Sequence, residues 1–391
     1  MITHLLFWAS FFLLFFCYIG YGLLVFFINA CKNLVAPKRL PETGTFEPPV
    51  TMIIAAYNEG EILLQKLKNT LAIDYPADKL KIFFVTDGTT DGSEAIIREH
   101  AGVTLLHQPG RQGKLAAISR AMKYVDTPFV VFSDANTMLN KECIQKILIH
   151  YQDPKTGGVA GEKKIISSIH GPAIGDAEGL YWKYESFMKR QDAGLHTVVG
   201  AAGELFSIRT ELFNQPAPDL ILDDFVISMK ICMQGYRIGY EPRAFAAELP
   251  SASLQEEAKR KMRISAGAFQ AIGPLKGCLN FFKYPLLCFQ YVSRRLLRWV
   301  VCPWMLILLL IANILIVAQP AFPVFYSWML AAQILFYLLA CVGWLMIRLG
   351  KHIGILAVPF YFLFMNYCLV KGFGRFLSRG QPVNWEKAVR V

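Results

Sequence analysis

Acidic side chains follow three apolar runs of the sequence, each at the point where a strand is expected to end. They are Glu59 after residues 50–56, Asp87 after 81–85 and Asp134 after 129–132. These runs alternate with helical patterns, which predicts βαβ units and an α/β fold with a mostly parallel sheet. One such aspartate is usually a turn residue or a helix cap. Three at equivalent ends indicate a ligand site, because ligands of such sheets lie beyond the carboxyl ends of the strands.

Two familiar nucleotide-binding motifs are excluded by the loops between these runs. The turn after the first run, Tyr57-Asn58-Glu59-Gly60, has no G-x-G-x-x-G, which excludes a dinucleotide-dependent dehydrogenase. The loop Arg111-Gln112-Gly113-Lys114 resembles part of a P-loop. However, Gln108 stands in place of its first glycine and Leu115 in place of its Ser or Thr.

Four apolar segments indicate a membrane protein. They cover residues 5–28, 299–318, 325–347 and 353–370. The first three are long enough to span a bilayer and the fourth is marginal. Basic residues that flank these segments account for much of the net charge of +11, so a nucleic-acid partner is not expected. Their placement also puts the region between residues 48 and 275 in the cytosol.

Scattered cysteines exclude two further kinds of site. The nine cysteines include no C-x-x-C pair, which argues against zinc and against a disulfide framework. Cys143 and Cys232 are interpreted as core residues of a reduced, cytosolic domain.

The motifs between residues 50 and 270 together resemble a known family, the membrane-integrated, inverting family 2 glycosyltransferases with a GT-A fold. This branch includes cellulose, hyaluronan, chitin-oligosaccharide and poly-N-acetylglucosamine synthases. The resemblance is carried by segments in the family's order: 55–59, 86–93, 111–114, 133–136, 200–209, 222–225 and 260–264.

The resemblance implies a donor site for a nucleotide-sugar, with a UDP-sugar as the expected donor. Tyr57 and Glu59 close the strand that meets the nucleobase, and Asp87 takes the base-binding role. The family often has paired aspartates there, but Thr86 replaces the first of them. Lys114 ends the basic loop that follows the third strand.

Asp134 and Asn136 occupy the family's D-x-D position, which implies a metal site for Mg²⁺ or Mn²⁺. A diphosphate leaving group sheds negative charge onto a divalent cation, and such cations prefer hard oxygen ligands. The family's last acid is usually a direct ligand. Asn136 offers a neutral amide oxygen in its place, which predicts weaker metal binding.

The pair Asp223-Asp224 can simply cap a helix, but the resemblance gives Asp224 the role of general base. The acceptor hydroxyl must lose its proton as it attacks the anomeric carbon. Asp223 and Gly203 are expected at the acceptor site. The segment 200–209 that holds Gly203 has an equally good alternative interpretation, a helix packed closely on a neighbour.

Arg260 and Arg263 occupy the slot of the family's Q-x-x-R-W, where they are expected to contact the donor diphosphate. Anchoring to anionic lipid is the alternative. Ile264 replaces the family's tryptophan, which weakens the case for acceptor stacking and for processive synthesis. A tail motif, Trp385 with Arg390, is a further short match.

Three hypotheses for the function follow. The first is sugar transfer to a glycan acceptor in polysaccharide synthesis, with membrane lipids and a possible export subunit as partners. The second is transfer of one sugar to a membrane lipid. The third, a transporter with a regulatory nucleotide domain, is disfavoured because residues 299–347 contain no ionisable residue that could line an ion path.

The expected organisation is a multi-pass protein of the cytoplasmic (inner) membrane with its catalytic domain in the cytosol. Residues 1–31 form an anchor, 32–275 the GT-A domain, and 276–391 an interface helix, transmembrane helices and a tail. The interface helix, over residues 280–299, is expected to be interrupted at Pro285. Basic residues after position 370 predict that 353–370 does not fully cross and that the tail is cytosolic.

Overall fold

A single eight-stranded sheet organises the middle of the chain. The computed structural model describes residues 1–35, 46–166 and 174–378, and the strand order is β3-β2-β1-β4-β7-β6-β8-β5. The strands are β1 (Val50–Ala56), β2 (Leu80–Asp87), β3 (Thr104–Gln108), β4 (Phe129–Asp134), β5 (Met138–Leu139), β6 (Thr156–Ile165), β7 (Leu205–Arg209) and β8 (Arg237–Glu248).

The first four strands form the predicted parallel sheet. All seven residues of β1 are buried, as expected for a strand covered on both faces. Ala55 pairs with Val85 of β2 on one side and with Asp134 of β4 on the other. The carboxyl ends of these three strands therefore lie side by side, and they bring the three strand-end acids to one edge.

The second half of the sheet is mixed. Strand β7 runs antiparallel to both β4 and β6, and β5 runs antiparallel to β8, whereas β6 and β8 are parallel. The α/β, GT-A-type fold class is confirmed, and its parallel part is confined mainly to β1–β4.

Helices cover both faces of the sheet. They are α2 (Gly60–Leu71), α3 (Ser93–Arg98), α4 (Lys114–Met122), α5 (Cys143–Leu148), α6 (Ile174–Leu195), α7 (Asp223–Met233) and α8 (Leu254–Ile272). Leu115 and Val226 bring α4 and α7 into one core, and Leu63 and Ile147 bring α2 and α5 into the other. The predicted core cysteines, Cys143 and Cys232, are both buried.

Four helices are long and apolar enough to cross a membrane in the part of the chain that the structure describes. They are α1 (Ile2–Val35), α9 (Pro285–Val317), α10 (Val324–Arg348) and the last helix, α11 (Ala357–Leu377), which follows a short turn at Gly354–Leu356. The expected interruption at Pro285 is wrong, because this proline is the first residue of α9. A proline fits there because the first helical N–H has no intrahelical partner.

The last helix packs along α8. The Tyr361 hydroxyl donates to Glu257 at 2.7 Å, and the rings of Phe269 and Phe373 lie 5.0 Å apart. Between these contacts, a Cβ on Gly372 would lie 2.4 Å from the Cβ of Ser265. Contact therefore continues along most of both helices. The tail motif of Trp385 and Arg390 lies outside the described residues.

Candidate active site

A cavity of about 1500 Å³ lies at the carboxyl edge of the parallel strands. It is lined by most of the residues predicted for donor, metal and acceptor binding: Glu59, Lys114, Asp134, Asn136, Gly203, Asp223, Asp224, Arg260 and Arg263. The two remaining predicted residues, Tyr57 and Asp87, line a small adjoining pocket that shares Gly113 and Lys114 with the large one. The fold thus brings the predicted site residues to one place.

Lys114 is the central cation of this cavity. It is the first residue of α4, and its ammonium forms an ion pair with Asp134 at the end of β4. Burial opposes the charge of Lys114. The carboxylates of Asp134 and Asp223 outweigh burial, however, and hold the pKa of Lys114 above its ordinary value. A lysine that stays charged here can bind a phosphate group.

Lys114 and Asp224 meet above Gly203. A Cβ added to Gly203 would lie 3.1 Å from Nζ of Lys114 and 3.3 Å from Oδ2 of Asp224. A hydrogen at position 203 therefore leaves room for both groups. The alternative interpretation of residues 200–209 as a helix is wrong, because Gly200–Glu204 is a loop that leads into β7. Gly200 has a φ of +89°, with the Phe225 ring only 2.0 Å from where its Cβ would be.

Asp224 has the properties of a base that works near neutral pH. It lies in the first turn of α7, where the sequence predicted a helix start. Burial, then the neighbouring charge of Asp223, raises the pKa of Asp224 to about 7, with Lys114 acting in the opposite direction. A carboxyl group whose pKa is near ambient pH is ionised in about half of the molecules, and its carboxylate is basic enough to accept a proton.

The turn after β4 presents oxygen atoms that suit a hard divalent cation. Asp134 pairs with Lys114, and the Asn136 amide nitrogen donates to Glu248 Oε1 at 3.1 Å. The amide oxygen of Asn136 is thereby left as the atom able to bind a metal. Among the described residues no group of three or more acidic, His or Cys side chains forms a metal cage. Asp134 and Asn136 fit a cation that takes its other ligands from a bound diphosphate and water.

Lys66 stabilises this turn through buried hydrogen bonds. Sequence reasoning did not identify this lysine. Its ammonium is fully buried and donates to the Ser133 hydroxyl at 2.9 Å and to the Thr137 carbonyl at 2.7 Å. Burial lowers the pKa of Lys66 to about 7, with the charge of Asp134 opposing the shift. Lys66 occupies an inward position of α2, between Leu63 and Leu67. That apolar spacing is the one signal that could have identified it.

Asp87 organises the loop beside the smaller pocket. Its Oδ2 accepts backbone hydrogen bonds from Gln112 at 2.8 Å and from Gly113 at 2.6 Å. The same loop places the Arg111 guanidinium 3.9 Å from the centre of the Tyr57 ring. Asp87 thus shapes the pocket predicted for the nucleobase, and base binding by Asp87 itself stays a prediction.

Arg260 and Arg263 both line the cavity, and Arg260 pairs with two carboxylates. Its guanidinium is buried and pairs with Glu178 at 2.6 Å and with Glu257 at 2.9 Å. Its charge is therefore largely matched before any ligand arrives. The expected contact of Arg260 and Arg263 with the diphosphate stays a prediction.

The cavity also extends away from the sheet, between the apolar helices. Its far wall includes Phe15 and Tyr18 of α1, Leu309 of α9, Phe336 of α10 and Phe362 of α11. Trp182 and Lys189 of α6 line the stretch in between. Sequence reasoning missed this stretch, since it forms only where α6 meets helices that are distant in the chain.

Part of the chain matches a known family profile, and several known proteins are similar to it. Residues 51–215 match the profile described as Glycosyl transferase family 2. The chain is 26% identical over 236 residues to poly-beta-1,6-N-acetyl-D-glucosamine synthase of Staphylococcus aureus (strain COL). The corresponding enzyme of Staphylococcus epidermidis is 23% identical over the same length. These alignments cover 57% of this chain and 55% of each relative, so the chain spans about half the length of the curated relatives it matches.

A solved structure resembles nearly the whole chain. It is the mannosyltransferase PcManGT of Pyrobaculum calidifontis, determined in complex with GDP-Man and Mn²⁺. The TM-score is 0.70 at 21% identity, over 95% of this chain and 99% of the other. At this level of identity the resemblance concerns the fold alone.

Proposed function

We propose that the protein is an inverting glycosyltransferase, because residues 51–215 match the Glycosyl transferase family 2 profile. It moves a sugar from a nucleotide-sugar, with a UDP-sugar as the expected donor, to a glycan acceptor in polysaccharide synthesis at the membrane. The observation that carries the proposal is that one cavity holds both the Lys114–Asp134 pair and Asp224. The named activity of the staphylococcal relatives supports the glycan acceptor.

The proposed reaction is a direct displacement in which Asp224 is the base. Asp224 takes the proton of the acceptor hydroxyl while the hydroxyl oxygen forms a bond to the anomeric carbon. The bond from that carbon to the diphosphate oxygen breaks, and the nucleoside diphosphate leaves with the electron pair. Lys114, at the diphosphate side, stabilises the negative charge that develops there. Attack from the opposite face inverts the anomeric configuration.

A divalent cation, Mg²⁺ or Mn²⁺, is part of the proposal. Asp134 and the amide oxygen of Asn136 would hold it, and when bound it neutralises charge on the diphosphate. The Mn²⁺ bound in PcManGT supports the use of a divalent cation.

The proposed location is the cytoplasmic (inner) membrane, with the sheet domain in the cytosol. Residues 1–31 are the anchor, 32–275 the catalytic domain, and 276–391 the membrane-associated remainder. Four candidate spans support membrane integration. They are few for a glycan channel, so a partner subunit for export is part of the hypothesis.

A lipid acceptor is the second candidate, and the shape of the cavity favours it. The cavity leads from Asp224 to Phe15, Phe336 and Phe362 on three apolar helices. An acyl or isoprenoid chain could lie against such side chains while its headgroup approaches Asp224.

One assay tests the proposal and separates the two acceptors. The purified chain in neutral lipid nanodiscs is incubated with membrane lipid extract and radiolabelled UDP-sugars or GDP-mannose, with Mn²⁺, Mg²⁺ or EDTA. Labelled product is expected with metal and not with EDTA. A product of high molecular mass supports a glycan acceptor, and a chloroform-soluble product with one sugar supports a lipid. No transfer from any donor contradicts the proposed function.

A further inference from the structure

A stripe of side chains on α6 faces the cavity between Asp224 and the apolar helices. Trp182, Glu185 and Lys189 line the cavity and lie on one face of the helix, three and four residues apart. The Trp182 indole N–H is buried without a hydrogen-bond acceptor among the described residues. Lys189 is only 4% exposed. Buried donors normally have partners, so this stripe has the character of a binding site.

Lys189 differs from the other lysines around Trp182. Three ammonium groups lie near the Trp182 ring: Lys163 at 4.7 Å, Lys189 at 5.7 Å and Lys261 at 5.7 Å. Glu204 and Glu248 pair with Lys163, and Glu257 lies 3.6 Å from Lys261. No carboxylate of the described chain lies within 4 Å of the Lys189 ammonium. Burial lowers the pKa of Lys189, and the charges of Glu204, Glu162 and Glu185 act in the opposite direction.

Three arginines of α9 add further positive charge next to Lys189. Glu185 pairs with Arg294 at 2.7 Å, with Arg298 at 3.2 Å and with Arg295 at 3.4 Å. Asp192 is the other carboxylate of this cluster, 3.3 Å from Arg294. Lys189 and the three arginines thus lie close to Glu185 and Asp192, and the charges of Glu204 and Glu162 also act on Lys189.

This cluster lies between the proposed base, Asp224, and the apolar helices. The Arg295 guanidinium lies 5.9 Å from the ring of Phe225, the residue that follows Asp224. The Arg298 guanidinium lies 5.3 Å from the ring of Tyr18 on α1. A ligand held by Lys189 and Arg295 would thus reach the base at one end and apolar side chains at the other.

We propose that Trp182, Lys189 and Arg295 form a subsite for the phosphate of a lipid acceptor, whose hydrocarbon chain lies along the apolar wall made by α1, α10 and α11. The Trp182 N–H donates to one phosphate oxygen, and the two cations neutralise the phosphate charge. The inference rests on the second candidate function, transfer to a lipid. The apolar wall favours a lipid over a free phosphate or an acidic glycan, because neither of those would occupy it.

Binding of decyl phosphate tests the subsite without requiring transfer. The full chain, in neutral detergent, is titrated with decyl phosphate, decanol, inorganic phosphate and glucuronic acid while tryptophan fluorescence is recorded. Decyl phosphate is expected to bind more tightly than each of the others. Lys189→Met is expected to weaken its binding about tenfold, as loss of one charge-assisted contact implies. Lys189→Arg should restore binding, and Arg190→Met, at the adjacent exposed position, should leave it unchanged.

Each other outcome overturns the subsite. If decanol bound as tightly as decyl phosphate, the site would recognise only the hydrocarbon chain. If inorganic phosphate or glucuronic acid bound as tightly, the site would be assigned to a soluble anion or an acidic glycan. Unchanged binding by Lys189→Met would remove this lysine from the site. Donor binding is measured in the same samples by titration with UDP-sugars and GDP-mannose. Intact donor binding with failed decyl phosphate binding refutes only the subsite, whereas no binding of any donor refutes the proposed function itself.

Discussion

Asn136 donates its amide N–H to the Glu248 carboxylate at 3.1 Å, which ties the proposed metal turn to the end of β8. Glu248 also pairs with the buried ammonium of Lys163. Asn136, which stands where the resembled family usually has an acid, is thus an uncharged hydrogen-bond donor to Glu248. A carboxylate at position 136 would instead face another carboxylate. The geometry explains how an amide is accommodated here.

Asn136→Asp should tighten Mn²⁺ binding and destabilise the metal-free protein. The new carboxylate adds a charged oxygen ligand, but without metal it repels Glu248. We expect the apparent Kd for Mn²⁺ to fall several-fold. Compared with the unsubstituted protein, the melting temperature of the variant should be lower in EDTA and higher in Mn²⁺. Differential scanning fluorimetry against Mn²⁺ measures both effects. Asn280→Asp, at an exposed position away from the cavity, is the control, and equal Mn²⁺ responses in both variants would contradict the metal site.

Asp224→Asn should reduce kcat by about 100-fold or more, the usual contribution of a general base. The amide retains the shape of the side chain but cannot accept the proton. Binding of the nucleotide-sugar, measured by calorimetry, should be nearly unchanged. Asp126→Asn, which removes an exposed carboxylate paired with Lys81, should retain full activity. Near-normal turnover by Asp224→Asn would remove Asp224 from the role of base.

The pH dependence of kcat/KM should follow ionisation of Asp224. Its pKa is raised to about 7 by burial and by Asp223, so below pH 7 the carboxyl group is mostly protonated and cannot accept a proton. Activity should therefore rise with pH, reach half its maximum near pH 7 and level off above pH 8. A rate profile of the purified enzyme between pH 5 and 9 measures this. A flat profile across that range is incompatible with the assignment.

The elements that carry the donor chemistry could be predicted because their signals are local. Strand β1 has the predicted bounds, 50–56, since an uninterrupted apolar run bounded by polar residues is typical of a buried parallel strand. Asp223 and Asp224 begin a helix as predicted, since acidic residues suit the N-terminal end. At Pro285 the same kind of local reasoning predicted an interruption within a helix, whereas the helix begins there. A proline can begin a helix as well as interrupt one.

The features that the sequence could not provide depend on elements distant in the chain. The loop at Gly200 is fixed by the Phe225 ring, a contact that no local pattern shows. The subsite of Trp182 and Lys189 exists only because α6 packs against α9 through Glu185 and the arginines. The antiparallel pairing of β7 also depends on a chain reversal with no strong local signal. Each of these is a tertiary relationship between segments that the sequence presents separately.

Lys66→Met should weaken metal and donor binding, although Lys66 is not one of the described residues that line the cavity. Methionine retains the volume but leaves the Ser133 hydroxyl and the Thr137 carbonyl without their buried partner. A buried unpaired polar group costs about 1–3 kcal/mol, and the turn that holds Asp134 should lose its fixed geometry. We expect the KM for the donor and the Kd for Mn²⁺ to rise about tenfold. Lys68→Met, exposed on the same helix, should change neither, and a lower melting temperature with normal Mn²⁺ affinity would make Lys66 merely structural.

The packing of α11 along α8 supports the prediction that the last helix does not cross the membrane. Helix α8 is part of the sheet domain, where its buried Arg260 pairs with Glu178 of α6. Contacts from Tyr361 to Phe373 keep α11 against α8 over most of its length. A helix held in this way remains beside the catalytic domain. We therefore expect its basic end, with Lys371 and Arg375, to lie on the cytosolic side, as the distribution of basic residues predicts.

Cysteine labelling in intact cells tests this arrangement. In a cysteine-free variant, a single cysteine replaces Ser378 at the end of α11, or Gln319 in the loop between α9 and α10. If α9 crosses outward from the cytosol, Gln319→Cys should react with an impermeant maleimide from outside. Ser378→Cys should react only after the membrane is permeabilised, because α10 returns the chain to the cytosol and α11 keeps it there. Labelling of Ser378→Cys in intact cells would show that α11 spans the bilayer, and that its contact with α8 does not hold in the membrane.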